Sequence, residues 1–377
     1  MTSIHDLLEI AIRNRASDLL LKAGSPPMIR VDGRIVPTER GPVDADETEA
    51  LAQSIIYTST RDHLLKAANP TAMVDESNQL GAEGMLARLH DQEEIDVVFT
   101  IPNLVRVRAN LYLQHGTVAA ALRIIPLKPA TLDQLNLPPI LKEAAARPQG
   151  LIVVTGPTGS GKSTTLAGII EEINNTRAAN IVTVEDPIEY VFADNKSMIQ
   201  QREIGQDTRS FGTALRSVLR QSPDVIMIGE MRDPETIEVA LTAAEVGHLV
   251  LTTLHTTGAP QTVERILNSF PAERRPQIAA QIAGGLLCVA SQRLIPRAEG
   301  TGRIPAVEVM TGSPTIRRQI EAGETSTLAD TVREGAHFGM QTFNVSLAGL
   351  ANSGAIRPET ALAASPDPAE LRPLLKR

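Results

Sequence analysis

Apolar residues Ile4, Leu7, Leu8, Ala11 and Ile12 recur at helical spacing and predict an opening helix. Two short strand candidates follow, Met28–Val31 and Arg34–Val36. Between them lies Asp32-Gly33, a pair suited to a two-residue hairpin turn. Residues 42–70 carry a mostly helical pattern, whereas the stretch from Asp75 to Glu94 is polar and irregular. Val105, Val107, Ala109 and Leu111 then alternate with Arg106, Arg108 and Asn110, which predicts a strand with one apolar and one polar face. Arg123 falls on the next apparent strand. Together these features predict a small α+β domain over residues 1–125. Pro126 to Pro139, with four prolines and little periodicity, predicts a linker.

Beyond the linker the pattern becomes alternating strands and helices, as in a parallel sheet covered on both faces. Leu151–Thr155, Ile181–Glu185 and Asp224–Gly229 are strand candidates, and a helix starts near Lys162. Asp233-Pro234 opens another helix, with Asp as cap and Pro in its first turn. That helix ends near Gly247, and His248–Leu254 returns as a strand. The C-terminal third reads as helical, punctuated by the cap pair Ser313-Pro314. The expected domain therefore spans 140–357, followed by a flexible, Pro-rich tail over 358–377. No internal repeat of useful length is present.

Composition narrows the class. At 377 residues two domains are expected, and 42% apolar residues supply ample core. With no Trp and 2% aromatics, that core must be built from Leu, Ile, Val and Ala. A net charge of −8 argues against a nucleic-acid binder that relies on broad phosphate neutralisation. Cys288 is the single cysteine, which excludes an internal disulfide or a multi-cysteine zinc site. Its apolar setting, GGLLCVA, predicts a buried, inert thiol. The opening MTSIHDLLEI lacks the basic flank and apolar block of a signal peptide. No apolar run approaches the ~18 residues needed to span a bilayer, so the expectation is a soluble protein with at most a peripheral membrane role.

The chemistry lies in the second half. Gly156-Pro157-Thr158-Gly159-Ser160-Gly161-Lys162-Ser163-Thr164 fits GxxxxGK[ST] between a strand and a helix. Glycines let successive backbone N–H groups wrap a phosphate, and the helix N-terminus adds a favourable dipole. Lys162 can reach the β- and γ-phosphates of ATP, and Ser163 can hold Mg²⁺. Hydrolysis also needs a carboxylate to order the metal and a group to orient water. Two strand ends offer them, Glu185 in VTVEDP and Glu230 in VIMIGE. Glu185 is read as the water-activating base and Glu230 as the acid of the Mg²⁺ shell, although the swap is equally compatible with the pattern. His248 and His255 flank LVLTTL, where each is either a structural histidine or a sensor of the γ-phosphate. Arg106 and Arg108 share a strand face by their spacing. With Arg123 they are either a solvated surface or arginine fingers delivered to a neighbouring subunit's ATP.

Four boxes in order make the sequence similar to the secretion and type IV pilus ATPase family: GPTGSGKST at 156–164, TVEDPIEYVF at 183–192, IMIGEMRDPETI at 226–237 and AAEVGHLVLTTLHT at 243–256. The resemblance implies an α/β chain: a small N-terminal α+β (PAS-like) domain followed by a RecA-like P-loop ATPase domain with a helical C-terminal part. It implies a homohexamer with ATP sites between subunits. It also carries the catalytic acid role to Glu185, the Walker B acid to Glu230, nucleotide-site histidines to His248 and His255, and trans-acting arginines to Arg106, Arg108 and Arg123. Within the family the chain is most similar to the pilus-retraction ATPases. ASDLLLKAGSPPMIRVDG at 16–33 resembles their opening, TIRRQI at 315–320 resembles their AIRNLI segment at Ile316, Arg317 and Ile320, and GMQT at 339–342 matches outright. TIRRQI departs from AIRNLI at its other positions, and His115 stands where relatives often carry Arg. Residues 76–92 align poorly. The chain is expected to lack the extra N-terminal domain and the four-cysteine zinc module of the assembly ATPases.

The implied function is a mechanochemical ATPase powering pilus retraction (twitching motility). It would be cytoplasmic and peripheral at the inner membrane, with the platform protein and pilus machinery as partners. Pilus assembly or type II secretion, or an accessory retraction role, are alternatives. A nucleic-acid translocase is disfavoured by the acidic balance and the scarcity of aromatic stacking residues.

Overall fold

A computed structural model describes residues 3–67, 76–102, 104–125 and 128–376; for 60–67 and 76–82 only the backbone is described. The chain divides into two compact units, Met1–Leu127 and Lys128–Arg377.

The first unit runs α1 (Ile4–Arg13), β1 (Asp18–Leu21), β2 (Met28–Val31), β3 (Arg34–Pro37), α2 (Ala45–Ala67), α3 (Glu76–Gln92), β4 (Glu94–Ile101), β5 (Val105–Gln114) and β6 (Thr117–Ile125). The Ser3 hydroxyl caps α1 by accepting from Asp6 N–H, and Asp44 and Glu47 form a reciprocal capping box at α2. Asp32 and Gly33 both take positive φ, 49° and 83°, which closes the β2–β3 hairpin as its two-residue turn demands. The strands form one antiparallel sheet in the order β3-β2-β1-β6-β5-β4. Apolar residues of α1, α2 and α3 share its core with Leu19, Phe99, Val107, Leu111 and Leu122.

The helix α3 corrects the expectation of an irregular stretch after Asp75, itself outside the described residues, as are 68–70 of the expected helix before it. Gly81 and Gly84 each cost a helix about 1 kcal/mol, which is what obscured the pattern. Met85, Leu86 and fully buried Leu89 pack into the core, and a buried leucine alone contributes about 2 kcal/mol. Packing outweighs local propensity here.

The second unit continues with α4 (Ile140–Ala145), β7 (Gly150–Thr155), α5 (Lys162–Thr176), β8 (Asn180–Glu185), β9 (Met198–Glu203), α6 (Phe211–Val218), β10 (Val225–Ile228), α7 (Pro234–Glu245), β11 (Leu249–Leu254), α8 (Ala259–Asn268) and α9 (Arg275–Gly285). A hairpin of β12 (Leu286–Pro296) and β13 (Arg303–Thr311) follows, then α10 (Pro314–Glu321), α11 (Leu328–Glu334), α12 (Phe343–Asn352), α13 (Pro358–Ala364) and α14 (Pro368–Leu371). The sheet order is β13-β12-β7-β11-β10-β8-β9, parallel except for β13. Alternate strand residues enter two separate cores. Val153, Val184, Ile228 and Val250 face α6 to α11, while Ile152, Ile181, Met227 and Leu251 face α4 and α5. Burial on both faces explains the unbroken apolar runs.

Three further expectations change. The C-terminal third is not wholly helical, because β12 and β13 extend the sheet; β12 is covered on both faces, so its apolar run lacks the alternation that marks a strand. Cys288 sits within it, buried, with its thiol pushed up to about 12 by desolvation. The expected linker is part of the second unit from Lys128 onward: Leu132 and Leu137 are buried with α4 and α5, while Pro126 lies outside the described residues. Nor is the tail a free coil. Ala361 of α13 and Leu371 of α14 are buried against Phe343 and Leu347 of α12, and Asp367 caps α14.

Arg317, offset from buried Ile316 and Ile320, is half-buried. Its guanidinium donates to the carbonyls of Gly312 (2.7 Å), Ala283 (2.6 Å), Gly284 and Leu286 (2.8 Å). Two of these are among the last carbonyls of α9, which have no intrahelical partner. Arg317→Ala is therefore expected to destabilise the second unit by about 1–3 kcal/mol, with Arg317→Lys restoring only part. Thermal unfolding of both variants checks this, and unchanged melting would mean the clamp contributes nothing.

Candidate functional site

Every strand from β7 to β11 points its C-terminal end to the same edge of the sheet, and the candidate residues follow those ends. After β7 the chain turns through residues 156–161 into α5. Gly156 takes φ 141°, and a Cβ there would lie 2.3 Å from the Gln292 carbonyl and 2.6 Å from Ser160 Oγ, so no other residue fits. Gly161 caps α5 in the left-handed conformation at φ 89°. Lys162 Nζ bridges the loop by donating to the carbonyls of Gly156 (3.0 Å) and Pro157 (3.1 Å). Burial lowers its pKa, opposed by the charges of Glu230 and Glu189. Pro157, Thr158 and Gly159 form the exposed bend, Ser163 stands in the first turn of α5, and Thr164 Oγ1 lies 3.1 Å from the Tyr190 hydroxyl.

His255 follows β11 and joins the loop to the second acid. Its Nδ1 lies 3.5 Å from Lys162 Nζ, and its Nε2 lies 3.1 Å from Glu230 Oε1. Arg232 Nε donates to the other oxygen of Glu230 at 2.8 Å. Lys162, His255, Glu230 and Arg232 thus form one chain of polar contacts along the sheet edge.

Glu185 ends β8 and is held differently. Its carboxylate is 7% exposed and accepts from Thr183 Oγ1 (2.7 Å) and Gln201 Nε2 (3.1 Å). Gln201 also donates to the Tyr190 carbonyl and accepts from Phe192 N–H, tying the acid to the segment after it. Burial is the dominant influence and pushes the carboxyl from an ordinary 4.5 up to about 7, against the lowering effect of these hydrogen bonds. A carboxylate with that affinity can accept a proton from water near neutrality, as a general base requires.

His248 is the correction. β7 and β11 pair in parallel with Leu249 opposite Gly150 and Leu254 opposite Thr155, so His248 precedes the strand and His255 follows it. A six-residue strand at ~3.3 Å per residue separates the histidines by ~20 Å. His248 Nδ1 instead meets the Pro223 carbonyl at 2.9 Å on the opposite edge of the sheet. Within this chain its environment is structural.

The three arginines belong to the first unit. Arg108 and Arg123 are direct cross-strand neighbours, and Arg123 pairs with Asp18 at 3.6 Å, which also holds Arg30 at 3.2 Å. Arg108 makes no ion pair among the described residues. Arg106, two residues away on β5, is 6% exposed, which no solvated face requires, and its Nη1 donates to Thr100 Oγ1 at 3.5 Å. Two arginines set side by side repel by a few tenths of a kcal/mol or more, so the row suits an incoming anion.

For a divalent cation the donors on offer are the Ser163 hydroxyl and the Glu230 carboxylate. Oxygen donors that few suit Mg²⁺, which takes its remaining ligands from phosphates and water. Among the described residues no group of three or more His, Cys, Asp or Glu side chains could hold a metal by itself.

The family described as type II/IV secretion system protein matches residues 73–336. The chain is 40% identical over 358 residues to the type IV pilus retraction ATPase PilT of Pseudomonas aeruginosa, covering 95% of this chain and 96% of that protein. It is 35% identical over 370 residues to the type IV pilus ATPase PilU of the same organism, covering 98% and 90%. Among solved structures, the pilus retraction motor PilT with bound ADP superposes with a TM-score of 0.81 at 40% identity, covering 98% of this chain and 99% of that one.

The raised Glu185 carboxyl has a consequence for stability. Between 4.5 and about 7 the folded protein holds this proton more tightly than the unfolded chain does. The stability it contributes is complete below the lower value and is lost as pH rises through the upper one. Glu185→Gln, which cannot ionise, should therefore gain in melting temperature relative to the wild type as pH is raised from about 5 to about 8. Parallel melting curves at both pH values would refute the shift.

Proposed function

The chain belongs to the type II/IV secretion system protein family, and from that premise we propose that it is an ATP-hydrolysing motor that powers type IV pilus retraction as a homohexamer. The carrying observation is the convergence of Lys162, His255, Glu230 and buried Glu185 on the edge of the sheet where the glycine-rich loop enters α5. The N–H groups of residues 158–164 wrap the phosphates of ATP, and Lys162 leaves its carbonyl partners for the β- and γ-phosphates. Ser163 and Glu230 would hold Mg²⁺, which would neutralise charge developing on the phosphates. Glu185 takes the proton of the attacking water. His255 touches both Lys162 and Glu230, and so registers whether the γ-phosphate is present. Arg106, Arg108 and Arg123 serve the ATP of the neighbouring subunit.

The similarity to PilT along the whole chain supports retraction, with the inner-membrane platform and pilus machinery as partners at the cytoplasmic face. No helix among the described residues is long and apolar enough to cross a membrane. The similarity to PilU, nearly as extensive, supports a second reading as an accessory retraction ATPase. A cell lacking this protein that accumulates surface pili fits the first reading, and one that retracts normally through another motor fits the second. The charge of −8 supports a protein partner over a nucleic acid, and turnover unaffected by DNA is expected.

Two experiments address the chemistry. Glu185→Gln should keep ATP binding and ring formation but lose turnover by about 10²-fold or more, whereas Lys162→Ala should weaken ATP binding itself. Near-normal hydrolysis by the Glu185 variant would transfer the base role to Glu230.

For the ring, Ala variants of Arg106, Arg108 or Arg123 should each bind ATP yet hydrolyse it poorly. Mixing one of them with Glu185→Gln subunits should restore part of the activity, because some interfaces then hold both intact groups. Full hydrolysis by a dilute monomer would contradict shared sites.

A further inference from the structure

The residue that fixes the shape of the glycine-rich loop is not in the loop. β12 lies beside β7 with Ser291 opposite Thr155, which brings the next residue, Gln292, level with Gly156. Gln292 is 1% exposed. Its Nε2 donates to the Ser160 carbonyl at 2.6 Å, and its Oε1 accepts from Thr165 Oγ1 at 2.9 Å. Its backbone carbonyl is the atom that a Cβ on Gly156 would meet, and its Nε2 lies 3.1 Å from where a Cβ on Gly161 would sit. The residue thereby meets the loop's start with its backbone carbonyl, and the loop's end and the first turn of α5 with its side chain.

Space filling does not account for this residue. Met or Leu would fill a similar volume without burying an amide, whose polar atoms cost 1–3 kcal/mol if unpaired. The two partners are chemically opposite, a carbonyl that needs a donor and a hydroxyl that can supply one, so the amide fits in one orientation only. The Ser160 carbonyl also belongs to the same planar peptide as the Gly161 N–H, and in a trans peptide the two point in opposite directions. Drawing the carbonyl toward β12 turns the Gly161 N–H away from β12, toward the open side of the loop.

We propose that Gln292 is a positioning residue for the nucleotide phosphates: by holding the Ser160–Gly161 peptide it aims the Gly161 N–H at a phosphate oxygen before the nucleotide arrives. The inference rests on the loop being the nucleotide site. It acts on binding, because an untethered peptide must be reoriented at the expense of affinity.

The test uses the full chain and a fluorescent ADP analogue. Gln292→Met, of similar volume with neither hydrogen bond, should weaken ADP binding tenfold or more at every pH. Gln292→Glu retains the acceptor for Thr165 but turns a carboxylate toward the Ser160 carbonyl. It should be equally weak near pH 8 and recover relative to the wild type as the pH is lowered toward 6, because a protonated carboxyl regains a donor. Affinity within twofold of the wild type in Gln292→Met, with only the melting temperature lowered, would reduce Gln292 to a packing residue. Should neither variant fold, Thr165→Val removes one anchor of the amide and is expected to cost threefold or more in affinity; no loss there overturns the proposal. Lys162→Ala is measured alongside. Retained affinity in that variant removes the nucleotide site itself, whereas its loss with unchanged Gln292 variants removes this inference alone.

Discussion

Parallel pairing of β7, β11, β10 and β8 is the constraint on which the site depends. Their registers align Thr155 with Leu254, Ile228 with Thr252, and Val184 with Ile228, so all four strands end within about one residue of a common line. Whatever follows each strand must then emerge at one edge: the glycine-rich loop, His255, Glu230 and Glu185. This is the edge outside the carboxyl ends of the strands, where open parallel sheets carry their ligands. The polar links between loops, such as Thr253 Oγ1 to the Gly229 carbonyl at 2.6 Å, refine a placement that the sheet has already made. Both faces of that sheet are buried, so a one-residue slip of any strand would exchange its two sets of core residues.

The two acids at this edge differ in how their charge is met, and this favours the proposed division of labour. Glu230 has the Arg232 guanidinium on one oxygen and the His255 imidazole on the other. Glu185 has neutral donors, the Thr183 hydroxyl, the Gln201 amide and the Glu189 backbone, and lies deeper. Desolvation disfavours its charge more than these hydrogen bonds restore it, which is why its carboxyl rises to about 7. A desolvated carboxylate is a good proton acceptor. The pattern of acids at strand ends left that choice open, because burial is a property of the folded sheet.

Legibility followed locality. The P-loop, both acids, the Asp233-Pro234 and Ser313-Pro314 caps and the Asp32-Gly33 turn are set by residues within a few positions of one another, and each lies where its sequence placed it. What escaped is non-local. Gln292 meets Thr165 across 127 positions, and its one available signal was the polar run Ser291-Gln292-Arg293 inside an otherwise apolar stretch. The buried strands β12 and β13 could not be told from helix without knowing that both faces are covered. The contacts of Arg317 were not legible because helical spacing gives a side chain's angle around its own axis and says nothing of the carbonyls ending the helix beside it. His248 is different. Six strand residues between two histidines already require opposite ends of a strand.

The helical C-terminal part is bound to the sheet by side chains that complete helix ends. Arg317 of α10 satisfies carbonyls at the end of α9, and Glu308 of β13 accepts from Ala259 N–H at 2.6 Å at the start of α8. The cap position of α8 is Gly258, which has no side chain to offer, so Glu308 supplies the missing acceptor, and it also hydrogen-bonds the backbone of Phe343 at the start of α12. Its carboxyl is raised by burial and lowered by those same bonds, with burial the larger influence. Residue 259 is only four positions beyond His255. A displacement of the His255 segment that carried α8 with it would strand either an N–H or a buried carboxylate, at a cost of about 1–3 kcal/mol, unless β13 and α12 moved as well. The inexpensive motion at this edge is therefore a concerted one, in which the segment touching Lys162 and Glu230 moves together with the hairpin and the helices packed upon it.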